Sequence, residues 1–171
     1  DLPETETLFY KDDPMEFDAQ VIKVFDDQVV LDRTSFYARG GGQEPDLGSI
    51  AGFKVINVDK HANTIVHQLE GGVPSEGDTV SCKVDVTRRS NITKNHTSTH
   101  IINASSRKVL GSWIWQHSAF KDDDHARLDI THHSSLSDGE VQQIEDEAND
   151  MIKQNYPVNI DYYDRGTAEQ K

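Results

Sequence analysis

The sequence predicts an α+β protein: a small β-barrel-like N-terminal half, followed by a C-terminal α+β half built on a His-x-x-x-His helix. Two observations carry this expectation. Up to about residue 87 the chain runs in short alternating segments punctuated by Gly, Asp and Asn; beyond it, apolar residues recur at helical spacing. We therefore divide the chain at 1–87 and 88–171.

Taken in order, Phe17 to Val24 alternates apolar and polar residues, and Val29 to Leu31 follows the turn-like Asp26-Asp27. Ile50 to Val58 and Thr64 to Leu69 read as two strands around a turn at 59–63, and Val80 to Val86 as another. Short strands at this spacing suit a small barrel or a curled antiparallel sheet. The first helix is expected to start near Asn91 or Thr93 and to end at Gly111, a residue type favoured just beyond a helix. Ala126 to Thr131 reads as a strand, and Lys121 to Asp124 as a solvated turn. A second helix starts at Ser137, where Ser137-Asp-Gly-Glu140 has the form of a capping box. Its apolar residues Val141, Ile144, Ala148, Met151 and Ile152 share one face, and Pro157 prevents continuation. Val158 to Tyr162 reads as a last strand.

At 171 residues the chain fits one domain or two closely packed halves. It opens at Asp1 without an initiator methionine, as an excised piece would. No apolar run approaches the roughly 20 residues that span a bilayer, and no signal-peptide pattern opens the chain. No membrane partner and a cytoplasmic location are expected. The single cysteine, Cys82, cannot form an internal disulfide and reads as a small core residue.

A net charge of −13 argues against a nucleic-acid partner, but the distribution reverses the argument. From Thr87 to Phe120 there is no acidic residue, and there are five bases: Arg88, Arg89, Lys94, Arg107 and Lys108. That stretch carries +5, so the remainder carries −18, the difference between −13 and +5. A basic island of this kind would draw a phosphate backbone.

The island contains Asn95-His-Thr-Ser-Thr-His100. Residues at i and i+4 share a helix face, so His96 and His100 can reach one metal ion. Upstream, Gly40-Gly41-Gly42-Gln43 forms a loop whose backbone can approach a ligand closely, since glycine tolerates positive φ and has no side chain. A structural turn between strands is the alternative.

These motifs belong to a longer ordered set. Leu31-Asp-Arg-Thr-Ser-Phe-Tyr-Ala-Arg-Gly-Gly-Gly-Gln43 and Asp46-Leu-Gly48 precede the histidine string. Lys108-Val-Leu-Gly111, Trp115-Gln-His-Ser118 and Ala126-Arg-Leu-Asp-Ile-Thr-His132 follow it. From Tyr10 to Lys171 the set resembles the editing domain of alanyl-tRNA synthetase, which is shared with freestanding proteins that deacylate mischarged tRNA. Ala38-Arg-Gly-Gly-Gly-Gln43 and Asp164-Arg-Gly-Thr-Ala-Glu-Gln-Lys171 look most like the archaeal branch.

The resemblance implies hydrolysis of the ester in Ser-tRNA(Ala) and Gly-tRNA(Ala). Its partners would be the acceptor end of tRNA(Ala) and the remainder of the synthetase. Ester hydrolysis requires a positioned water, charge stabilisation and a discriminating pocket. Thr99 and Gln116 would carry the chemistry of that pocket, with Gly40, Gly41, Gly42, Gln43 and Thr97 contacting substrate. Arg88, Arg89, Lys94, Arg107 and Lys108 would bind tRNA. His96 and His100 would be two of four zinc ligands, the others coming from a later Cys-x-x-x-His that is not among these residues. Zinc binding is therefore expected to be weak or absent. His125, His132 and His133 read as packing or surface residues. A freestanding deacylase and a catalytically silent tRNA-binding module are the alternatives.

Overall fold

The structure, a computed structural model, describes residues 3–159, 161–168 and 170. In the first half, short β1 (Glu6–Thr7) precedes β2 (Glu16–Phe25), β3 (Gln28–Leu31), β4 (Arg33–Thr34) and β5 (Gly48–Ile50). After these come β6 (Phe53–His61), β7 (Thr64–Glu70) and β8 (Thr79–Val84). The long helix α1 (Val86–Leu110) leads to the antiparallel pair β9 (Gln116–Lys121) and β10 (Ala126–Ile130). Helix α2 (Asp138–Gln154) and the single turn α3 (Arg165–Ala168) follow. Six strands close into a barrel in the order β2-β3-β7-β6-β5-β8, and β1 pairs in parallel with β4 beside it. The α+β architecture expected from the sequence is the one observed.

Alternation builds the barrel core. On β8, Val80, Cys82 and Val84 are buried while Thr79, Ser81 and Lys83 face solvent, the period-2 pattern of a half-buried strand. Cys82 sits in that core with Val21, Leu31, Phe36, Ile50, Val55 and Ile65, and burial pushes its thiol up to about 12, so it is inert. His67 lies fully buried in the same barrel, between the Thr34 hydroxyl and the Val29 carbonyl.

Several boundaries differ from the sequence reading, each for a local reason. The expected strand from Ile50 to Val58 is two strands, because Ala51 and Gly52 take φ of 52° and 83° and reverse the chain in a two-residue hairpin. The turn expected at 59–63 shrinks to Ala62-Asn63, since Asp59, Lys60 and His61 stay in the β6–β7 ladder. Val86 belongs to α1 rather than to the preceding strand. The helix starts there because the Asp85 side chain accepts from Arg88 N at 3.0 Å, and an aspartate cap overrides the weak propensity of the first turn. Strand β9 has too few apolar residues to announce itself. At the other end, residues 158, 159, 161 and 162 form no strand; Val158 and Tyr162 are 84% and 87% exposed, with no sheet edge to join. Ile160, the remaining residue of that expected strand, lies outside the described residues. The second helix is as expected, with both halves of the Ser137–Glu140 capping box formed and Ile144 and Ala148 buried.

Arg89 fastens α1 to the barrel. Its Nε donates to both Asp46 carboxylate oxygens at 3.1 and 2.9 Å, and its Nη1 donates to Asp13 at 2.5 Å. A further nitrogen donates to the Ser35 carbonyl, and Asp46 also accepts from Tyr37 N at 2.7 Å. Burial opposes the charge on Arg89, but Asp46 and Asp13 outweigh it and raise its pKa. Deleting one partner of such a buried pair costs about 3–5 kcal/mol, because a charge is left uncompensated. Among the described residues, no helix is long and apolar enough to cross a membrane.

Candidate functional site

The glycine loop is a tight reversal. Gly40 N donates to Gln43 O at 3.2 Å and Gln43 N to Gly40 O at 2.9 Å, with Gly41 and Gly42 between them at φ of 59° and 73°. Strand β9 holds the loop down: Lys121 N donates to Gly42 O at 2.8 Å, and Glu44 N to Lys121 O at 2.9 Å. A Cβ on Gly42 would meet the Ala119 carbonyl oxygen at 2.0 Å, so the approach of loop to strand requires glycine there.

The loop delivers Gln43 to the histidine helix. Gln43 is 5% exposed, and its Oε1 lies 2.6 Å from His96 Nδ1. An amide oxygen only accepts, so Nδ1 carries the proton and Nε2 keeps its lone pair. That is the tautomer a metal-ligating imidazole needs, with an acceptor orienting its other nitrogen. His100 stacks on His96, ring centroids 5.0 Å apart and 18° from parallel, as the i, i+4 spacing requires. Burial, followed by the charges of Lys121 and His100, lowers the His96 pKa and favours the neutral ring. Two imidazoles supply half of a tetrahedral zinc shell. Among the described residues, no group of three or more His, Cys, Asp or Glu side chains could complete it.

The other predicted residues are placed as follows. Thr99 is buried, and its hydroxyl donates to Asn95 O at 2.8 Å within its own helix. Asn95 in turn donates to Asp122 O at 2.8 Å, tying α1 to the β9–β10 turn. Thr97 is exposed on α1. Gln116 is exposed at the start of β9, opposite Ile130, three residues from Ala119. At the rise of a strand this is roughly 10 Å. The structure thus brings Gln43 into direct contact with His96 while Gly42 is held on the far end of β9, with Gln116 at the opposite end of that strand.

The basic island is less basic in space than in sequence. Arg89 is buried in its carboxylate pairs, so the phosphate-binding role expected of it has no surface to act from. Arg88 pairs with Asp123 and donates to Pro45 O at 3.2 Å. Lys108 pairs with Glu147 at 2.6 Å. Arg107 lies over the Trp115 ring at 4.5 Å, and Lys94 is exposed. The carboxylates that neutralise three of the five cations come from segments remote in sequence, which no local charge count reveals.

Lys121 is the site residue that the sequence reading missed. Expected in a solvated turn, it is 2% exposed, and its Nζ donates to Gly41 O at 2.9 Å beneath the loop. Burial lowers its pKa. The turn itself starts one residue later, where the Asp122 carboxylate accepts from Asp124 N and His125 N. His125 is exposed and faces Asp122 at 3.2 Å; His132 and His133 pack around Trp113.

Comparison with known proteins agrees with these motifs. Residues 4–88 match the family described as tRNA synthetases class II (A). The chain is 89% identical over 170 residues to an alanine–tRNA ligase of Nitrosopumilus maritimus (strain SCM1), covering 99% of this chain and 19% of that protein. It is 62% identical to the alanine–tRNA ligase of Cenarchaeum symbiosum (strain A), again covering 99% of this chain and 19% of the relative. A third relative, the alanine–tRNA ligase of Methanopyrus kandleri, is 45% identical over 180 residues, covering 100% of this chain and 20% of its own length. The chain therefore belongs to the alanine–tRNA ligase family of class II synthetases, and it spans about a fifth of the length of the curated relatives it matches.

Proposed function

We propose that this chain is the editing module of an archaeal-type alanine–tRNA ligase. It would hydrolyse the ester that joins serine or glycine to the acceptor end of tRNA(Ala). The observation that carries the reading is the 2.6 Å contact between Gln43 and His96, which unites the glycine loop and the histidine helix 53 residues apart in sequence. The names of the relatives favour a module acting within the synthetase over a freestanding deacylase, and a cytoplasmic location follows from that reading.

In the reaction, water adds to the ester carbonyl carbon, the bond to the ribose oxygen breaks, and that oxygen takes the proton. Gln43 fixes the ring and tautomer of His96. Lys121 braces the loop from below through the Gly41 carbonyl and puts a positive charge behind it, where developing negative charge is stabilised. Gln116, polar and uncharged, would hold the water or the substrate amine. Zinc on His96 and His100, with ligands beyond these residues, would polarise the carbonyl or orient the water. Thr99 would read serine: its hydroxyl donates to Asn95 O but keeps its own lone pairs, able to accept from the hydroxyl of serine.

The test is a deacylation assay with Ser-tRNA(Ala) and Ala-tRNA(Ala), using the full-length synthetase and this chain in parallel. Hydrolysis of the seryl ester should exceed that of the alanyl ester and be lost in His96→Ala. Thr99→Val should narrow the preference by about 1 kcal/mol, the worth of one neutral hydrogen bond. A full-length enzyme that hydrolyses neither ester above the buffer rate sinks the reading. A second reading, a tRNA-binding scaffold without hydrolytic activity, is favoured by the incomplete ligand set among the described residues, and it predicts tRNA binding without deacylation by this chain.

A further inference from the structure

The sequence contains two tryptophans, and both stand exposed at the corner where α1 hands over to β9. Trp113 is 46% and Trp115 61% exposed. Such large apolar surfaces are normally driven inward, and here the fold fixes them without covering them. The Trp113 ring lies over the helix-ending Gly111, where a Cβ would meet its Nε1 at 2.5 Å. It stacks on His132 at 5.2 Å and 24° and touches His133 at 5.5 Å, the two imidazoles being 4.6 Å apart. Trp115 is pinned by its backbone: its N–H donates to Thr131 Oγ1 at 3.0 Å and its carbonyl accepts from Thr131 N at 2.9 Å. Arg107 covers one face of its indole at 4.5 Å. Glu140 is engaged in the cap of α2.

We propose that Arg107, Trp113, Trp115, His132 and His133 form a stacking site for unpaired nucleobases of single-stranded RNA. Every base presents a π-face to an exposed indole, and an arginine beside the ring adds cation–π attraction and neutralises phosphate. Bases already stacked inside a duplex cannot reach such a platform. An apolar protein segment is the poorer fit, because the aliphatic grooves among the described residues are lined by Ile102, Leu128, Ile130, Val141, Ile144 and Ile152, and neither tryptophan lines them. The site stands about 16 Å along α1 from His96, eleven residues at the rise of a helix. Only the source of the strand, the unpaired end of a tRNA, rests on the deacylase reading.

Because these are the sole tryptophans, intrinsic fluorescence of the chain reports this corner directly. The chain is titrated with a mixed-sequence single-stranded RNA hexamer, and separately with the same hexamer annealed to its complement. Saturable quenching by the single strand is expected, with the duplex at least about tenfold weaker. Trp115→Ala and Arg107→Ala should each weaken binding by roughly tenfold, the scale of one lost stacking contact, while Trp115→Phe retains most of it. In Trp115→Ala the remaining Trp113 is the reporter, and circular dichroism checks that the fold is kept. Equal affinity for the duplex, variants that bind like the parent, or no quenching by either RNA up to about 1 mM overturns the proposal. Ser-tRNA hydrolysis by the full-length synthetase, measured alongside, separates the two readings: activity there without hexamer binding by the chain removes only the stacking site, and hexamer binding without hydrolysis by the full-length enzyme removes only the deacylase.

Discussion

At the residue scale, the buried histidine of the barrel sets a pH dependence. His67 Nδ1 donates to Val29 O at 3.3 Å, and Nε2 accepts from the Thr34 hydroxyl at 2.9 Å, so the neutral ring satisfies both nitrogens. Burial lowers its pKa from 6.5 to about 4. Between those values the unfolded chain takes up a proton that the native chain refuses. Stability from this group is therefore complete above about pH 6.5, falls as pH drops, and levels off below about 4, for a total of roughly 3 kcal/mol. Urea midpoints of the parent and of His67→Gln, compared between pH 7 and 4.5, should show the parent losing more on acidification. Equal losses would assign the acid sensitivity to carboxylates alone. Side-chain roles were only partly legible in the sequence. The pairing of His96 with His100 is visible as a spacing, because a helix turns spacing into direction. The fates of His67, Arg89 and Lys121 are not, since burial is decided by segments tens of residues away.

At the element scale, the sequence signals strands where alternation is strong and helices where caps are orthodox. The barrel strands and the Ser137 helix are legible for those reasons. The start of α1 is not, because Asp85 follows a strand with no linker, and the alternation of β8 runs into the helix without a break. The glycine loop shows how a turn doubles as a contact. Gly41 and Gly42 both have positive φ, but only Gly42 would drive a Cβ into backbone; nothing lies within 4 Å of a Cβ on Gly41. Gly41→Ala should thus cost only the conformational strain, about 1 kcal/mol. Gly42→Ala adds a clash with Ala119 O that no side-chain rotation relieves, so the loop must lift from β9. Its melting temperature should fall clearly below that of Gly41→Ala, and the His96 imidazole 15N shifts should leave the Nδ1–H pattern imposed by Gln43. Identical shifts in the two variants would mean that β9 does not hold Gln43 in place.

At the scale of the whole molecule, barrel and helix meet in two places that share α1: the Arg89 ion pairs near its start, and the Gln43–His96 contact about two turns on. The first fixes the helix on the barrel; the second uses that fixed helix to orient the His96 imidazole. A tetrahedral shell draws on four donors, and zinc held by complete sets of peptide ligands gains roughly 10–16 kcal/mol. Half a shell should gain about half as much, a Kd in the range of roughly 1 to 200 μM. Calorimetric titration of the chain with zinc chloride at pH 7.5 should give one weak site, lost in His96→Ala and in His100→Ala alike. Gln43→Leu should weaken it by about tenfold or more, because the acceptor that orients His96 is gone. Affinity should also fall on strong acidification, since a protonated imidazole has no lone pair to offer the metal; because the His96 pKa is lowered, its share of that loss should come below the ordinary histidine range. Stoichiometric zinc that survives dialysis against a chelator would mean that further groups of this chain close the shell, and the two-histidine account of the site would have to be given up.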